Sequence, residues 1–572
     1  MDTNKLYTLW KTKATEDSDL IEELVSIENN NDEIYDRFYR CLEFGTAGLR
    51  GVIGAGTNRM NIYNVRLATQ GLANYLNNKY EQSAVAISFD SRIKAELFAR
   101  EAARVLAGNG IKVYISSELQ PTPVLSFLVR ELNCKSGIMI TASHNPAKYN
   151  GYKCYGDDGC QMTDDGANAV YSEIQKLDCF DDIKLADFDL AVSNGEIEFV
   201  KDSVYETYLD NVQSQQIHKD ICKNSGLKVV YTPLNGAGNK LVRKILNRIG
   251  IDDVQIVKEQ ELPDGNFTTC PYPNPEFKEA LKLGLDMCDE VKPDLLLATD
   301  PDSDRVGIAA KDGDSYRLLT GNETGIMLTD YILSQRTALG TLPKEPIVIK
   351  TIVTSIMINK LCDKYGAQLR NVLTGFKYIG EQILGLEKND EENRYVLGFE
   401  ESYGYLAGTY VRDKDAVVAS MLICEMAAFY KKQGKTLSQV IDEMYEEYGY
   451  YINNTLSFSF EGAQGMKKMA DIMSGLRENA PAEIAGFKVI KTDDYLESVS
   501  EDKLTGEKTE IKLPKSNVIA FSLEGENAVI VRPSGTEPKI KLYVTAVGQG
   551  AENARELSDK LALAGEKLMG VK

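Results

Sequence analysis

Residues 85–115 read VAISFDSRIKAELFAREAARVLAGNGIKVYI, which is a strand, an amphipathic helix, a glycine and a second strand. The apolar residues of the middle segment recur at helical spacing, and Gly110 stands where that helix should end. The same succession recurs from Lys228 to Val257 and from Ile347 to Leu373. Because a strand, a helix and a strand in this order form a right-handed crossover between parallel strands, the repeats predict three similar α/β domains with mixed, mostly parallel sheets.

The last ~120 residues follow a different pattern, typical of an α+β domain. Thr455–Phe460 alternates between apolar and polar residues, and a helix is expected over 465–477. Three further strand-like runs follow, and a final helix begins at about Ala551. Strands that follow one another so closely are expected to pair antiparallel. At the other end, the first ~40 residues are predicted to be a helical, acidic extension, to which the sequence assigns no role.

Composition limits the classes of function. With 572 residues, 43% of them apolar and 26% charged, the chain is too long for one core and is expected to form several globular domains. A formal net charge of −20 argues against general binding of nucleic acid or anionic membranes, although cations gathered in one cleft can still bind phosphate. The N-terminus lacks the apolar core of a signal peptide, no apolar run reaches membrane length, and the ten cysteines form no C-x-x-C pair. We therefore expect a cytoplasmic protein with reduced thiols.

Thr141–Lys153, TASHNPAKYNGYK, is a polar loop that follows the strand-like run Gly137–Ile140. It places Ser143 beside His144, one of two histidines in the chain. The loop after a strand is where α/β proteins usually place their chemistry, but Ser, Asn, Pro and Gly also favour an ordinary turn. The segment alone fits a serine-centred site and a turn equally well.

A second polar loop, D-P-D-S-D-R, directly follows Asp294–Thr299, which has the pattern of a buried strand. Its three carboxylates stand at alternate positions: Asp300, Asp302 and Asp304. They can converge on one hard cation, and three protein ligands leave room for water or phosphate, which suits Mg²⁺. An EF-hand calcium loop would have glycine and glutamate where this chain has Arg305 and Lys311. The alternative is an acidic surface loop, but delivery by a buried strand favours a metal site.

Val529–Pro538, VIVRPSGTEP, is a strand followed by a turn. The guanidinium of Arg532, the hydroxyls of Ser534 and Thr536 and the backbone N–H groups near Gly535 could together cradle a phosphate. A plain β-turn explains the segment equally well. The chain has neither a Walker loop nor a strand-linked G-x-G-x-x-G, so a nucleotide is the less favoured ligand.

Gly398–Tyr405, GFEESYGY, places Glu400 and Ser402 between glycines. A carboxylate and a hydroxyl can grip vicinal sugar hydroxyls, which both donate and accept hydrogen bonds, although a solvated acidic loop would look the same. Lys414 and Arg50 are cations that we expect in loops, where a surface charge is the more common explanation.

No competing catalytic motif is present in the sequence. It contains no G-x-S-x-G elbow and no H-E-x-x-H motif, and a serine directly beside a histidine is not a triad pair. What remains is a serine nucleophile, a divalent-metal loop, a phosphate cradle and a polyol clamp. Together these predict phosphoryl transfer to or from a sugar.

These four segments, in this order, resemble the signature loops of the α-D-phosphohexomutase family across essentially the whole chain. T-A-S-H-N-P, D-P-D-S-D-R, E-E-S and R-P-S-G-T-E-P each look like one of its loops, and the sequence is most similar to the longer phosphoglucomutase branch. The resemblance implies three similar α/β domains and a C-terminal α+β domain around a central cleft. The expected domains are 1–215 with the N-terminal extension and the serine loop, 216–317 with the metal loop, 318–449 with the sugar loop and 450–572 with the phosphate loop.

The resemblance also implies a role for each motif. Ser143 would carry a phosphoryl group. Mg²⁺ would be held by that phosphoserine and by three carboxylates: Asp300, Asp302 and Asp304. Lys153 and Arg305 would support the transferring group, and Lys414 would act in proton transfer or charge stabilisation with His144 and Arg50 close by. The sugar hydroxyls would be gripped by Glu400 and Ser402. The non-reacting phosphate would be held by the last loop: Arg532, Ser534, Gly535 and Thr536.

The implied reaction interconverts glucose 1-phosphate and glucose 6-phosphate through phospho-Ser143 and glucose 1,6-bisphosphate. Mannose- and glucosamine-type relatives carry Met or Gln where Glu401 stands, which favours glucose. The alternatives are a phosphopentomutase or phosphomannomutase of the same family, a glucose 1,6-bisphosphate synthase, and a non-catalytic sugar-phosphate sensor, against which the intact Ser143 speaks. The expected partners are small sugar phosphates, with neither nucleic acid nor membrane, and the chain is expected to be a monomer or homodimer.

Overall fold

The computed structural model describes residues 2–45, 48–460, 462–534 and 539–571. Its helices are, in chain order, α1 Thr3–Lys13, α2 Ser18–Ser26, α3 Asn31–Phe38, α4 Ile62–Lys79, α5 Ala95–Gly108, α6 Thr122–Glu131, α7 Asp164–Ile174, α8 Phe188–Ser193, α9 Asp202–Ser214, α10 Gly238–Arg248, α11 Lys258–Glu261, α12 Lys282–Val291, α13 Gly321–Ala338, α14 Met357–Tyr365, α15 Phe376–Glu387, α16 Ala416–Lys431, α17 Leu437–Tyr448, α18 Gly462–Glu478 and α19 Ala551–Leu568. Its strands are β1 Gly48–Val52, β2 Ala84–Phe89, β3 Lys112–Ile115, β4 Ser136–Ile140, β5 Tyr149–Tyr155, β6 Ile197–Phe199, β7 Lys228–Thr232, β8 Asp253–Ile256, β9 Leu295–Thr299, β10 Val306–Asp312, β11 Ser315–Leu319, β12 Ile347–Thr351, β13 Gln368–Val372, β14 Tyr395–Glu400, β15 Gly404–Leu406, β16 Tyr450–Ser459, β17 Glu483–Ile484, β18 Phe487–Asp494, β19 Val499–Asp502, β20 Lys508–Glu510, β21 Ile519–Leu523, β22 Ala528–Pro533 and β23 Lys539–Gly548.

The chain forms two compact units. The first comprises Met1–Gly321 and Ile379–Thr436, and the second comprises Asn322–Tyr378 and Leu437–Lys572. Both contain sheets with associated helices, so the predicted α/β class is confirmed. The four domain boundaries drawn from the sequence stay a prediction.

The first sheet of the first unit has the strand order β1-β5-β4-β2-β3-β6. Strand β2 pairs in parallel with β3 and β4, and β5 runs antiparallel between β4 and β1. The crossover predicted over 85–115 is confirmed, because α5 joins β2 to β3. Gly110, just past α5, has a φ of 75°, a left-handed conformation that glycine adopts at helix ends without steric cost.

The second sheet has the order β11-β10-β9-β7-β8. Strand β7 pairs in parallel with β8 and β9, and α10 provides the second predicted crossover, from β7 to β8. Every residue of β9 is buried. A fully buried strand inside a sheet is packed on both faces, so the residues directly after it are held in a fixed position.

The first unit also contains the hairpin β14–β15 and helix α16. The carboxylate of Asp415 caps α16 by accepting hydrogen bonds from the backbone N–H groups of Val417 and Val418 at 2.8 and 3.1 Å. Tyr208 on α9 donates its hydroxyl to the same carboxylate at 2.9 Å. This capping fixes the backbone that enters α16.

The predicted helical N-terminal extension is confirmed as α1, α2 and α3. Trp10 is buried between the rings of Phe38, Tyr63 and Phe180, with centroids 5.9, 5.5 and 5.4 Å away. These edge-to-face contacts join the extension to the core that covers the first sheet.

The second unit contains the third predicted crossover, in which α14 joins the parallel strands β12 and β13. Its remaining strands form an antiparallel sheet of order β16-β23-β22-β21-β18-β19-β20, with β17 paired to β18, as predicted for the C-terminal part. Helices α18 and α19 contribute Met473 and Leu561 to the core beneath this sheet. The α+β prediction is therefore confirmed.

Two predictions from composition also have outcomes. In the part of the chain that the structure describes, no helix combines the length and the apolar character that crossing a bilayer requires. The structure pairs none of the ten cysteines in a disulfide, and eight of them are buried.

Candidate active site

Three aspartates converge directly after the buried strand β9. Asp300 and Asp302 are completely buried and Asp304 is nearly so, and one oxygen from each lies within 4.8 Å of the others. The backbone N–H groups of Asp304 and Arg305 donate to Asp300 Oδ1 at 3.1 and 3.0 Å, and the N–H of Ser303 donates to the Asp300 carbonyl at 2.9 Å. These bonds curl the loop back on itself and turn the side chains inward.

The aspartate loop fits a divalent cation. Among the described residues, Asp302 Oδ1 and Asp304 Oδ1 are buried oxygens without a hydrogen-bond partner, which is costly unless another group satisfies them. Burial and the negative charges of Asp302 and Asp304 raise the pKa of Asp300 well above its ordinary value. A cation among the three oxygens would relieve this repulsion, and an all-oxygen ligand set selects Mg²⁺ or Ca²⁺.

Ser143 faces this loop from the end of β4. Its hydroxyl donates to Asp300 Oδ2 at 3.0 Å and lies 3.1 Å from His144 Nδ1. The residue is buried and has a φ of 51°, which is uncommon for a residue with a side chain. Burial and the positive charges of Arg305 and Arg50 lower the pKa of His144, so its imidazole is neutral near pH 7. The structure therefore brings the predicted nucleophile and the predicted metal loop together.

Two lysines flank the aspartates. Lys153 Nζ lies 2.9 Å from Asp302 Oδ2 and 3.7 Å from Asp304 Oδ2, and Lys414 Nζ lies 3.1 Å from Asp304 Oδ2. Burial lowers the pKa of Lys414, but the carboxylates of Asp304 and Asp413 outweigh it and raise that pKa overall. Both ammonium groups are thus held as cations against the aspartate loop.

Arg305 lies at the end of the aspartate loop. Its Nη1 donates to Glu276 Oε1 at 2.5 Å, and its Nε lies 3.8 Å from Asp304 Oδ1. Burial disfavours the charge, but Glu276 and Asp304 together raise the pKa of Arg305. The guanidinium is therefore a fixed positive charge at the edge of the cluster.

Two predictions about loops are wrong. Lys153 lies on β5 and Arg50 on β1, neighbouring antiparallel strands in which Arg50 stands opposite Gly151. The polar composition of this segment resembles a turn, but tertiary packing holds it as a strand. Gly151 makes that packing possible, because a Cβ there would come within 2.5 Å of the Thr141 carbonyl oxygen and 2.9 Å of the Leu49 carbonyl oxygen.

The predicted sugar-binding residues lie at the β14–β15 hairpin. Glu400 is buried at the end of β14, and Ser402 is partly exposed in the turn that follows. The Tyr403 carbonyl accepts the backbone N–H of Val306 at 3.1 Å, which ties this turn to the strand after the aspartate loop. The charge of Glu400 contributes to the raised pKa of Lys414, after the larger effects of burial, Asp304 and Asp413. The hairpin therefore belongs to the same cluster.

The predicted phosphate-binding residues lie in the second unit. Arg532 is partly buried on β22 opposite Lys541, and the N–H of Ser534 donates to the Lys539 carbonyl at 2.7 Å. Gly535 and Thr536 lie outside the described residues. Their part in a phosphate site stays a prediction.

Sequence reasoning missed several residues that hold the site. Thr122 donates its hydroxyl to Asp302 Oδ2 at 2.9 Å, and Tyr155 donates to Asp413 Oδ2 at 2.6 Å. Asp413 Oδ1 in turn lies 3.2 Å from Lys414 Nζ. Tyr155 and Asp413 are 258 positions apart in the chain, so their pairing leaves no local sequence signal.

Two more missed residues, Asp90 and Arg92, follow β2 directly. Ser143 was noticed because it lies in a polar loop after the neighbouring strand β4, and the same signal is present here. Thr141 donates its hydroxyl to Asp90 Oδ2 at 2.5 Å, and the N–H of Ser143 donates to Thr141 Oγ1 at 2.8 Å. Burial raises the pKa of Asp90 to about 6, although Arg92 and Thr141 oppose this.

Family models match the chain in four consecutive segments. They are described as phosphoglucomutase/phosphomannomutase α/β/α domain I at residues 42–179, α/β/α domain II at 206–313, α/β/α domain III at 320–448 and the C-terminal domain at 492–563.

Curated relatives extend over nearly the whole chain. The phosphoglucomutase of Staphylococcus saprophyticus is 38% identical over 531 residues, which cover 90% of this chain and 95% of that protein. The phosphoglucomutase of Staphylococcus aureus is 36% identical over 536 residues, which cover 91% of this chain and 94% of that protein.

Solved structures share the fold. The parafusin phosphoglucomutase of Paramecium has a TM-score of 0.69 at 17% identity and covers 92% of this chain and 95% of its own. A phosphoglucomutase/phosphomannomutase family protein of Burkholderia thailandensis has a TM-score of 0.66 at 17% identity and covers 92% of this chain and 97% of its own. At these identities the two structures speak for the fold, while the four family models and the staphylococcal relatives speak for the family. The chain belongs to the phosphoglucomutase/phosphomannomutase family.

Proposed function

We propose that the chain is a phosphoglucomutase, which interconverts glucose 1-phosphate and glucose 6-phosphate through phospho-Ser143 and glucose 1,6-bisphosphate. The observation that carries the proposal is the hydroxyl of Ser143, which donates to Asp300 Oδ2 at 3.0 Å, in a cluster whose other two aspartates pair with Lys153 and Lys414. The two staphylococcal relatives that carry this activity as their name support it.

Mg²⁺ is the proposed cofactor. Asp300, Asp302, Asp304 and the phosphoserine would hold it, and the two buried oxygens without a partner support this assignment. Bound there, Mg²⁺ would offset negative charge on the phosphoryl oxygens. Glucose 1,6-bisphosphate is the proposed activator, because the enzyme must start each cycle phosphorylated.

The first half-reaction moves the phosphoryl group from Ser143 to the sugar. The bond between Ser143 Oγ and phosphorus breaks, and a bond forms between phosphorus and the oxygen of the sugar 6-hydroxyl. The 6-hydroxyl loses its proton and the serine oxygen gains one, so atoms and charge balance. Lys153, Lys414 and Arg305 supply the fixed positive charge that stabilises the transferring oxygens, as phosphoryl transfer requires.

The second half-reaction returns the other phosphate. Glucose 1,6-bisphosphate turns over, its 1-phosphate passes to Ser143 and glucose 6-phosphate leaves. The sugar must therefore bind in two orientations. Glu400 and Ser402 suit this role, because a carboxylate and a hydroxyl can pair with hydroxyl groups presented from either direction.

We propose roles for the remaining predicted residues as well. The non-reacting phosphate is assigned to the last loop: Arg532, Ser534, Gly535 and Thr536. We assign His144 and Arg50 to the surroundings of the transferring group; burial and the positive charges of Arg305 and Arg50 lower the pKa of His144. We retain the four domains at 1–215, 216–317, 318–449 and 450–572, a cytoplasmic location and a monomer or homodimer.

Coupled kinetics test the function. Purified enzyme is given glucose 1-phosphate, mannose 1-phosphate or ribose 1-phosphate with Mg²⁺, each with and without glucose 1,6-bisphosphate. We expect glucose 1-phosphate to have the highest kcat/KM and turnover to need the bisphosphate as primer. A preference for the mannose or ribose compound would reassign the substrate, net bisphosphate production from another donor would indicate a synthase, and no turnover at all would overturn the enzyme proposal.

A further inference from the structure

A buried guanidinium lies beneath the Ser143 loop. The side chain of Arg92 is fully buried, and its two terminal nitrogens donate to four backbone carbonyls of one loop. Nη1 donates to Pro146 and Tyr149 at 3.1 and 3.0 Å, and Nη2 donates to Asn145 at 2.5 Å and to Ser143. One side chain therefore fixes the backbone of the loop from the nucleophile to the start of β5.

Arg92 is itself held in place. Its backbone N–H donates to Asp90 Oδ1 at 2.9 Å, and its Nε lies 3.4 Å from Asp90 Oδ2. The second carboxylate oxygen also accepts the hydroxyl of Thr141, which in turn receives the N–H of Ser143. The ring of Phe267 lies 5.1 Å from the guanidinium and contributes a cation–π contact. The nucleophile is thus held on its N–H side through Thr141 and on its carbonyl side by Arg92.

These contacts on both sides of Ser143 maintain an uncommon backbone conformation. Ser143 has a φ of 51°, and a non-glycine residue stays in that region only where the surrounding structure leaves it no alternative. In this conformation its hydroxyl reaches Asp300 Oδ2. If the loop relaxed, Ser143 would stay in the site, but its hydroxyl oxygen would move away from its position beside Asp300 Oδ2.

We propose that Arg92 is a positioning residue for phosphoryl transfer: it fixes the backbone conformation of Ser143 so that the serine oxygen lies against the aspartate loop. Arg92 acts through the loop, since its terminal nitrogens are all engaged with loop carbonyls. The inference rests on the proposed function of Ser143 as the phosphoryl carrier.

A purely stabilising role for Arg92 and a positioning role predict different effects of its replacement. If Arg92 only stabilised the fold, its replacement would lower the fraction of folded protein, and each folded molecule would turn over normally. If it positions Ser143, folded molecules lose kcat while KM for the sugar phosphate is kept, because ground-state binding does not depend on the aim of the serine oxygen.

The test compares R92M and R92K with the unaltered chain, and R100M serves as control. Arg100 is a partly exposed arginine of α5 that pairs with Glu96, outside the site. For each variant, circular dichroism gives the folded fraction, the coupled assay gives kcat and KM, and intact-protein mass spectrometry after incubation with glucose 1,6-bisphosphate gives the phosphorylated fraction. Lysine has three donors on one nitrogen and cannot reproduce hydrogen bonds from two nitrogens to four carbonyls. R92K therefore tests the contribution of these hydrogen bonds separately from that of the positive charge.

We expect kcat per folded R92M molecule to fall about 100-fold, the cost of a misplacement of about 1 Å, with KM changed by no more than about threefold. R92K should lie between R92M and the unaltered chain, R100M should match the unaltered chain, and the phosphorylated fraction should fall in the same order. A normal kcat in folded R92M overturns the inference, and if R92M does not fold, a normal kcat in R92K overturns it. If the unaltered chain itself acquires no phosphate on Ser143, the proposed function fails first.

Discussion

Removal of the Thr122 hydroxyl, which contacts the aspartate loop, is expected to lower the affinity for Mg²⁺. Thr122 donates its side chain to Asp302 Oδ2 at 2.9 Å and its backbone N–H to the Asp302 carbonyl at 2.8 Å, and both residues are completely buried. Thr122→Val keeps the shape of the side chain and removes only the first of these bonds. We expect Mg²⁺ to bind more weakly, because the carboxylate loses a partner that fixes its orientation.

The size of the effect follows from the remaining contacts. A hydrogen bond to a charged group contributes about 1.5–3 kcal/mol. Lys153 Nζ still lies 2.9 Å from the same oxygen in the variant, so the loss should be near the lower end, about 1.5 kcal/mol. That corresponds to Mg²⁺ affinity lower by about tenfold, which is also the lower end for residues that support metal ligands.

The assay is a Mg²⁺ titration of turnover, together with the Mg²⁺-induced rise in the thermal midpoint. Half-saturating Mg²⁺ should rise about tenfold, and turnover at saturating Mg²⁺ should stay within about threefold of the unaltered chain. The control is Thr329→Val, since Thr329 is equally buried and donates to the Gly325 carbonyl within α13 at 2.7 Å. Half-saturation within about twofold of the unaltered chain, or an equal shift in the control, would refute the reasoning.

Two further outcomes are expected. Ser143→Ala should abolish turnover and the phosphorylation seen by mass spectrometry while the thermal midpoint stays close to that of the unaltered chain; appreciable turnover would remove Ser143 as the phosphoryl carrier. At Glu387 a hydrogen bond from Arg130, together with the charge of Arg412, outweighs burial and lowers the pKa to about 2. The folded-state pKa is thus below the unfolded value, so the carboxylate stabilises the fold above about pH 4.5 and loses this effect as the pH falls towards 2. Its side chain is 38% exposed, so we discount the full linkage value and expect Glu387→Gln to lower the urea-unfolding free energy by about 1–2 kcal/mol near pH 7. That difference should shrink in acid, and a difference that is constant from neutral pH to pH 3 would contradict the assignment.

The parts of the fold that could be predicted from sequence are those in which local pattern and tertiary structure agree. Helices α5, α10 and α14 show helical periodicity and end near a glycine with positive φ, so each crossover was visible without knowledge of its neighbours. Strand β5 was missed because Asn150 and Gly151 favour a turn locally. The contacts that make it a strand come from β1 and β4, which are distant in sequence.

The site residues likewise fall into those that could be predicted from the sequence and those that could not. Ser143 and the three aspartates could be identified because each follows a strand, and such loops meet at one edge of a sheet. Arg92 follows a strand as well, but its partners are backbone carbonyls about fifty residues further on, and a carbonyl carries no sequence signal. Thr122 begins α6, which connects two strands of the first sheet, whereas Asp302 lies between β9 and β10 of the second sheet. No rule of sequence spacing links the two residues.

The charge of the site explains how a chain of net charge −20 can hold a phosphorylated sugar. Each aspartate of the loop has a cation or hydroxyl donor next to it: Ser143 at Asp300, Lys153 at Asp302 and Lys414 at Asp304. A divalent cation bound by the three carboxylates would compete for the same oxygens, so the two ammonium groups would be less tightly held by them and more available to phosphate oxygens. Metal and sugar phosphate should therefore strengthen each other's binding, and the coupling must be the same in both directions. The local arrangement of buried charge, and not the net charge of the chain, then decides what this site attracts.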